Sequence, residues 1–283
     1  MHKIISDSEK MEKLNNKSWI KTIIIILFVC LIFCLILSFK YNKKSERHFA
    51  IIPHFMLNNE KVDQFYNFIK NAYYSDNEPN TIVLISPNHF HTDEKEIKTI
   101  CESSPVNYKS ETVNLSSKLH KLWIKCDEKN KIFNSRWDNL QTNEHWIWEH
   151  FQRINKYFPN GEILPIISPC FQMSTVKDIL PKIEGLNWNI LVIASVDFDH
   201  YQDEQQTLQH DQKSIETLRN MVLNETEFID WIDADCPVCL YLVQSLASQK
   251  WQKPELWYRD SSSTILNQDM WEENTSRIFM WYK

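Results

Sequence analysis

The spacing of apolar residues changes character along this chain. From Ile23 to Leu37 they form an unbroken run, which Trp19, Ile20, Ser38 and Phe39 extend to about 20 residues, roughly the thickness of a bilayer core. Lys21 can snorkel to an interface. The run predicts a transmembrane anchor over 19–39, after a tail (1–18) and before a polar linker (40–48). No small-x-small cleavage site follows, and the run ends in Lys40, Lys43, Lys44 and Arg47, which favours an anchor over a cleaved signal peptide. Lys3, Lys10, Lys13, Lys17 and Lys21 precede the span and nearly balance the four basic residues after it. A short tail before a first span often stays inside. The reading is a single-pass membrane protein, leaning to an extracytoplasmic domain.

Past the linker, short apolar runs alternate with helical spacing. Phe49–Pro53, Thr81–Ile85, Ile163–Ile167 (interrupted by Pro165) and Ile190–Ala194 read as strands, the second fully apolar as in a sheet covered on both faces. Between and after them, Val62, Phe65, Ile69 and Tyr73 fall at helical spacing, as do Ile147, Phe151, Ile154 and Phe158. Leu115–Lys125, Val176–Ile183, Leu208–Met221 and the stretch carrying Leu240, Val243 and Ala247 also read as helices; Leu256–Tyr258 and Arg277–Trp281 read as late strands. This alternation predicts one α/β domain over 49–283, a three-layer sandwich with a largely parallel central sheet.

Composition narrows this picture in three ways. A hydrophobic content of 43% with 24% charged residues describes a folded chain, and a net charge of −6 argues against nucleic-acid partners. Only two glycines occur, so tight turns must use Asn, Asp, Ser or Pro. Of seven cysteines, Cys30 and Cys34 lie in the apolar run; Cys101, Cys126, Cys170, Cys236 and Cys239 are odd in number and irregular in spacing. That is no disulfide framework, and it leaves a thiol for another role.

Candidate chemistry gathers at strand ends. His54 lies just past the first strand, His89 just past the second, and Asp197 and His200 just past the fourth. In open α/β sheets ligands bind outside the carboxyl ends of strands, so three strands would deliver imidazoles to one edge. Imidazole is the commonest ligand for iron, copper and zinc. Two histidines leave the set incomplete, and Asp197 or Cys236 could complete it. His200, if not a ligand, is placed to act as general acid or base. In Gln141–His150 (QTNEHWIWEH), His145 and Glu149 share a helical face away from the apolar stripe. They could be solvated or could orient a ligand from behind.

PH at Pro53–His54, SPNH at Ser86–His89, QTxEHxIxEH at Gln141–His150, SxDFxH at Ser195–His200, a cysteine before an apolar helix and WYRDSS from Trp257 occur in an order that resembles the Memo-like proteins, called AmmeMemoRadiSam system protein B in bacteria and archaea. The resemblance covers about residues 49–282. It implies a fold similar to the LigB-type class III extradiol dioxygenases, with cysteine in place of their carboxylate ligand. By motif, His54, His89 and Cys236 then look like metal ligands, and Asp197, His200, His145 and Glu144 like surrounding site residues. Non-haem iron is the implied metal, copper a further one. The substrate, small molecule or protein, is not named, and a radical-SAM partner is implied. The sequence departs from the family at PHFML for PHAGY, at Ser86 for Gly, and at Pro237 after Cys236.

Other readings remain beside this one. Cys236-Pro-Val-Cys239 opening a helix has the form of a thiol–disulfide motif. Ser195, Asp197 and His200 suggest a hydrolase, without a GxSxG elbow. A membrane-tethered binding or scaffold module of the same fold would need no catalysis.

Overall fold

The structure, a computed structural model, describes residues 19, 24–33, 46–74, 78–89, 98–100, 106–108, 111–113, 125–127, 145–186, 189–268 and 274–283. The chain divides into two compact units, Met1–Lys44 and Ser45–Lys283.

In the first unit the described helical run spans residues 24–33. Among the described residues no helix is long and apolar enough to cross a membrane. The expected transmembrane helix and single-pass membrane localisation are therefore not upheld, and the inferred sidedness falls with them. Residues 20–23 and 34–39 of the expected anchor lie outside the described residues.

The second unit is a mixed α/β domain. Its elements are β1 (Arg47–Ile52), α1 (Asn59–Tyr73), β2 (Thr81–Pro87), β3 (Lys98–Ile100), β4 (Val106–Tyr108), β5 (Glu111–Val113), β6 (Lys125–Asp127), α2 (His145–Tyr157), β7 (Glu162–Ser168), α3 (Ser174–Glu184), β8 (Ile190–Ser195), α4 (Glu204–Arg219), α5 (Glu225–Trp231), α6 (Pro237–Ser248), β9 (Pro254–Ser261), α7 (Ser262–Leu266) and β10 (Ser276–Tyr282). The main sheet has eight strands in the order β6-β3-β7-β2-β8-β1-β10-β9, and β4 and β5 form a separate pair.

The expected largely parallel sheet is corrected to a mixed one. Strands β7, β2, β8 and β1 run parallel. On one side β10 joins β1 antiparallel and β9 joins β10 antiparallel; on the other, β3 meets β7 antiparallel and pairs parallel with β6. Apolar spacing identifies a strand but carries no information about its direction or neighbour. The predicted helix over Leu115–Lys125 falls mostly outside the described residues, and Lys125 begins β6. β7 runs through Pro165, opposite Leu84 of β2.

Phe49–Ile52, Ile82–Ile85 and Leu191–Ala194 are all fully buried, so the three central strands have no solvent face. Helix α6 is buried along almost its whole length, as expected of a helix apolar all round, and touches β8, β1, β2 and α3. Register then places the chemistry: Ile51, Ala194 and Ile85 are level across the three strands, so His54, Asp197 and His89 emerge together at one end.

Candidate metal centre

His54 follows β1 and is almost completely buried. Its Nδ1 lies 3.2 Å from the Ser195 carbonyl, which can only accept, so Nδ1 carries a proton and donates. The opposite nitrogen, Nε2, faces two carboxylates: Asp235 Oδ2 at 3.0 Å and Asp197 Oδ2 at 3.2 Å. A neutral ring would turn its lone pair on both. That arrangement is stable only with a second proton or a cation in the gap.

His89, following β2, brings its Nε2 to 3.3 Å from the same Asp235 oxygen, and the two rings meet edge to face with centroids 4.9 Å apart. One donor atom each from His54, His89 and Asp235 therefore lies within 4.8 Å of the others. Metal–ligand bonds of about 2.1 Å put neighbouring donors about 3 Å apart, close to the 3.0 and 3.3 Å between the Asp235 oxygen and the two imidazole nitrogens. Asp235 Oδ1 is buried without a hydrogen-bond partner, so the carboxylate has capacity left for a cation.

Charge balance runs the same way. Burial alone would push the His54 imidazole down, but the carboxylates of Asp197 and Asp235 outweigh it and hold it above its ordinary value. Burial would raise Asp235, yet His54 and His89 pull it well below the usual carboxylate range. For Asp197 burial wins and raises the carboxyl, with the nearby Asp235 charge adding to it against His54. Asp197 is anchored besides: the backbone N–H groups of His54 and Phe55 both donate to its Oδ1 at 3.1 Å.

The cysteine expected as third ligand is not among the donor atoms that lie within 4.8 Å of one another with His54 and His89. Cys236 caps α6 and is fully buried, with the Cys239 thiol donating to its sulfur across 2.7 Å. Burial pushes the Cys236 thiol far up and Cys239 up to about 11, which keeps both protonated. The residue brought among the imidazoles is its neighbour, Asp235. Sequence reasoning passed it over because an acidic run, DADC, before a helix reads as a solvated loop.

The remaining expected site residues divide. His200 is partly buried, with Nδ1 3.1 Å from Thr275 Oγ1, and its charge acts on Asp197. His145 is the first residue of α2, and Glu144 lies outside the described residues. Glu149 is half-buried, and its carbonyl accepts from Arg153 at 2.8 Å. His150, at the end of the same motif, was not among the expected site residues. It is fully buried, with Nδ1 2.7 Å from the Tyr66 hydroxyl and Nε2 lacking a hydrogen-bond partner. Burial, aided by Arg153 and His54, keeps it neutral. The signal for it was present, since it lies three residues after Ile147 and four before Ile154, on the apolar face of the helix.

A family model described as Memo-like protein matches residues 32–241, well over half of the chain. The chain belongs to the Memo-like family. No curated protein matches it. Among solved structures, the Memo-like chain is similar to an uncharacterized protein, JW3007, from Escherichia coli K12, at 10% identity and a TM-score of 0.45, covering 83% of this chain and 99% of that one. So distant a likeness carries no argument here.

Proposed function

We propose that this Memo-like protein is a mononuclear metalloprotein that holds non-haem iron on His54, His89 and Asp235 and acts in oxygen-dependent, dioxygenase-like redox chemistry. The observation that carries this is the shared Asp235 oxygen, 3.0 Å from one imidazole nitrogen and 3.3 Å from another. Two histidines and one carboxylate with further positions open is the donor set of non-haem ferrous oxygenases. Bound iron would supply redox electrons and open coordination positions.

The chain's own residues do the rest. The Ser195 carbonyl holds the proton on His54 Nδ1 and so directs Nε2 into the site. Asp197, clamped by two backbone N–H groups, fixes the loop that carries His54. His200, steadied by Thr275, is the group available to take or return a proton at the rim. Burial of His54 and Asp197 keeps bulk water from their side of the site, while His89 stays partly exposed.

The test is the iron content of the full chain purified without oxygen. About one iron per chain is expected, lost in His54→Ala and Asp235→Ala and kept in Cys236→Ser. Folded wild type without stoichiometric metal would remove the metalloprotein reading. Loss of iron in Cys236→Ser but not in Asp235→Ala would return the thiol to the ligand set.

A further inference from the structure

The loop after β8 and the connection from α5 to α6 run antiparallel side by side. Phe198 bridges Ala234, and the Asp235 N–H donates to the Asp197 carbonyl at 3.0 Å. That register sets Asp197 opposite Asp235 and Asp199 opposite Asp233. Like charges directly opposite one another destabilise a strand pair, so each carboxylate pair needs a cation. The first pair has the two imidazoles described above. The second pair lies on the other side of Phe198 and Ala234 in the sequence, with its own histidine.

That histidine is His210 of α4. Its Nδ1 lies 2.8 Å from Asp199 Oδ1 and 2.8 Å from Asp233 Oδ2. A single N–H cannot point fully at both. Asp199 is 1% exposed, and its other oxygen, Oδ2, is buried with no hydrogen-bond partner, a costly state for a carboxylate. The adjacent Asp211 is satisfied by other groups, because Arg259 donates to its Oδ2 at 2.7 Å and Ser276 to its Oδ1 at 2.6 Å. The His210 and Asp233 side chains are 41% and 49% exposed, so the cluster opens to solvent.

We infer that Asp199, His210 and Asp233 form a second divalent-cation site, separate from the first and of the zinc or manganese class. One donor atom from each lies within 4.8 Å of the others, and an imidazole with two carboxylates is a donor set such ions accept. The cation binds the Asp199 carboxylate, which has an oxygen without a partner, and cancels the second like-charge pair. It thereby pins α4 to the two segments that carry Asp197 and Asp235. Its role is structural: it holds the register on which the first site depends.

The test uses zinc as probe on the full chain, stripped of metal and followed by equilibrium dialysis and thermal unfolding. Wild type is expected to bind two zinc ions and His210→Ala one. In His54→Ala/His89→Ala, one ion remains and raises Tm, and both the ion and the rise disappear when His210→Ala is added. Asp199→Asn behaves as His210→Ala does. Zinc bound equally with and without His210, or no zinc in a folded His54→Ala/His89→Ala protein, would overturn the inference. Because the first site is absent from that variant, its failure to hold iron would leave this result unaffected.

Discussion

Two glycines in 283 residues force other side chains into left-handed backbone. Both glycines avoid it; Asn58, Tyr201, Met221, Trp251 and Asn267 take it instead. The asparagines tolerate that region and the larger residues are strained there. Trp251 is the clearest case. It sits at φ 60° after α6, is 92% exposed, and occupies the left-handed position of a Schellman motif: Gln252 N–H donates to the Ala247 carbonyl and Trp251 N–H to the Ser248 carbonyl. Glycine is the preferred residue there. Trp251→Gly is expected to stabilise the fold by about 1 kcal/mol, read as a higher urea midpoint at unchanged slope. An unchanged or lower midpoint would mean that the indole makes contacts worth more than the strain.

At the scale of elements, a buried ion pair fixes the loop that carries His54. Arg277 of β10 is fully buried and donates to both oxygens of Asp260 on β9, Nε at 2.7 Å and Nη2 at 2.6 Å. Its remaining nitrogen, Nη1, donates to the carbonyls of Phe55 and Leu57. One guanidinium thus joins the antiparallel pair β9–β10 to the segment just after β1. Removing one partner of such a pair strands a buried charge, at a cost of about 3–5 kcal/mol. Arg277→Met should lose that much stability in denaturant unfolding, whereas Arg277→Met with Asp260→Leu should recover most of it. A double variant no better than the single would show that the bonds to the loop carbonyls, not the Asp260 charge, dominate.

Across the whole molecule, the proposed metal closes a loop among segments far apart in sequence: His54 after β1, His89 after β2 and Asp235 before α6. A ligand bound only by the folded state stabilises it by about 2.7 kcal/mol at a hundredfold excess over Kd. For a domain of this size that corresponds to roughly 5–10 °C in Tm. Chelation should lower the Tm of iron-loaded wild type by that much more than it lowers the Tm of Asp235→Ala, which keeps the Asp199–His210–Asp233 group. An equal fall in both would place the stabilising metal outside the His54–His89–Asp235 group.

Local pattern was enough to find the buried strands β1, β2, β7 and β8, the helices that carry regular apolar stripes, and the two imidazoles and Asp197 at the strand ends, because each is written in a few consecutive residues. The family motifs, equally local, were legible for the same reason. The apolar run over 19–39 showed the limit of that evidence: hydropathy measures composition, and among the described residues no helix is long and apolar enough to cross a membrane. Direction of the outer strands, the approach of Asp235 to the two imidazoles, and the meeting of His210 with Asp199 and Asp233 were set only by tertiary structure. Each depends on register between segments distant in the chain, and a shift of one residue at the start of α6 decides whether a carboxylate or a thiol faces the histidines.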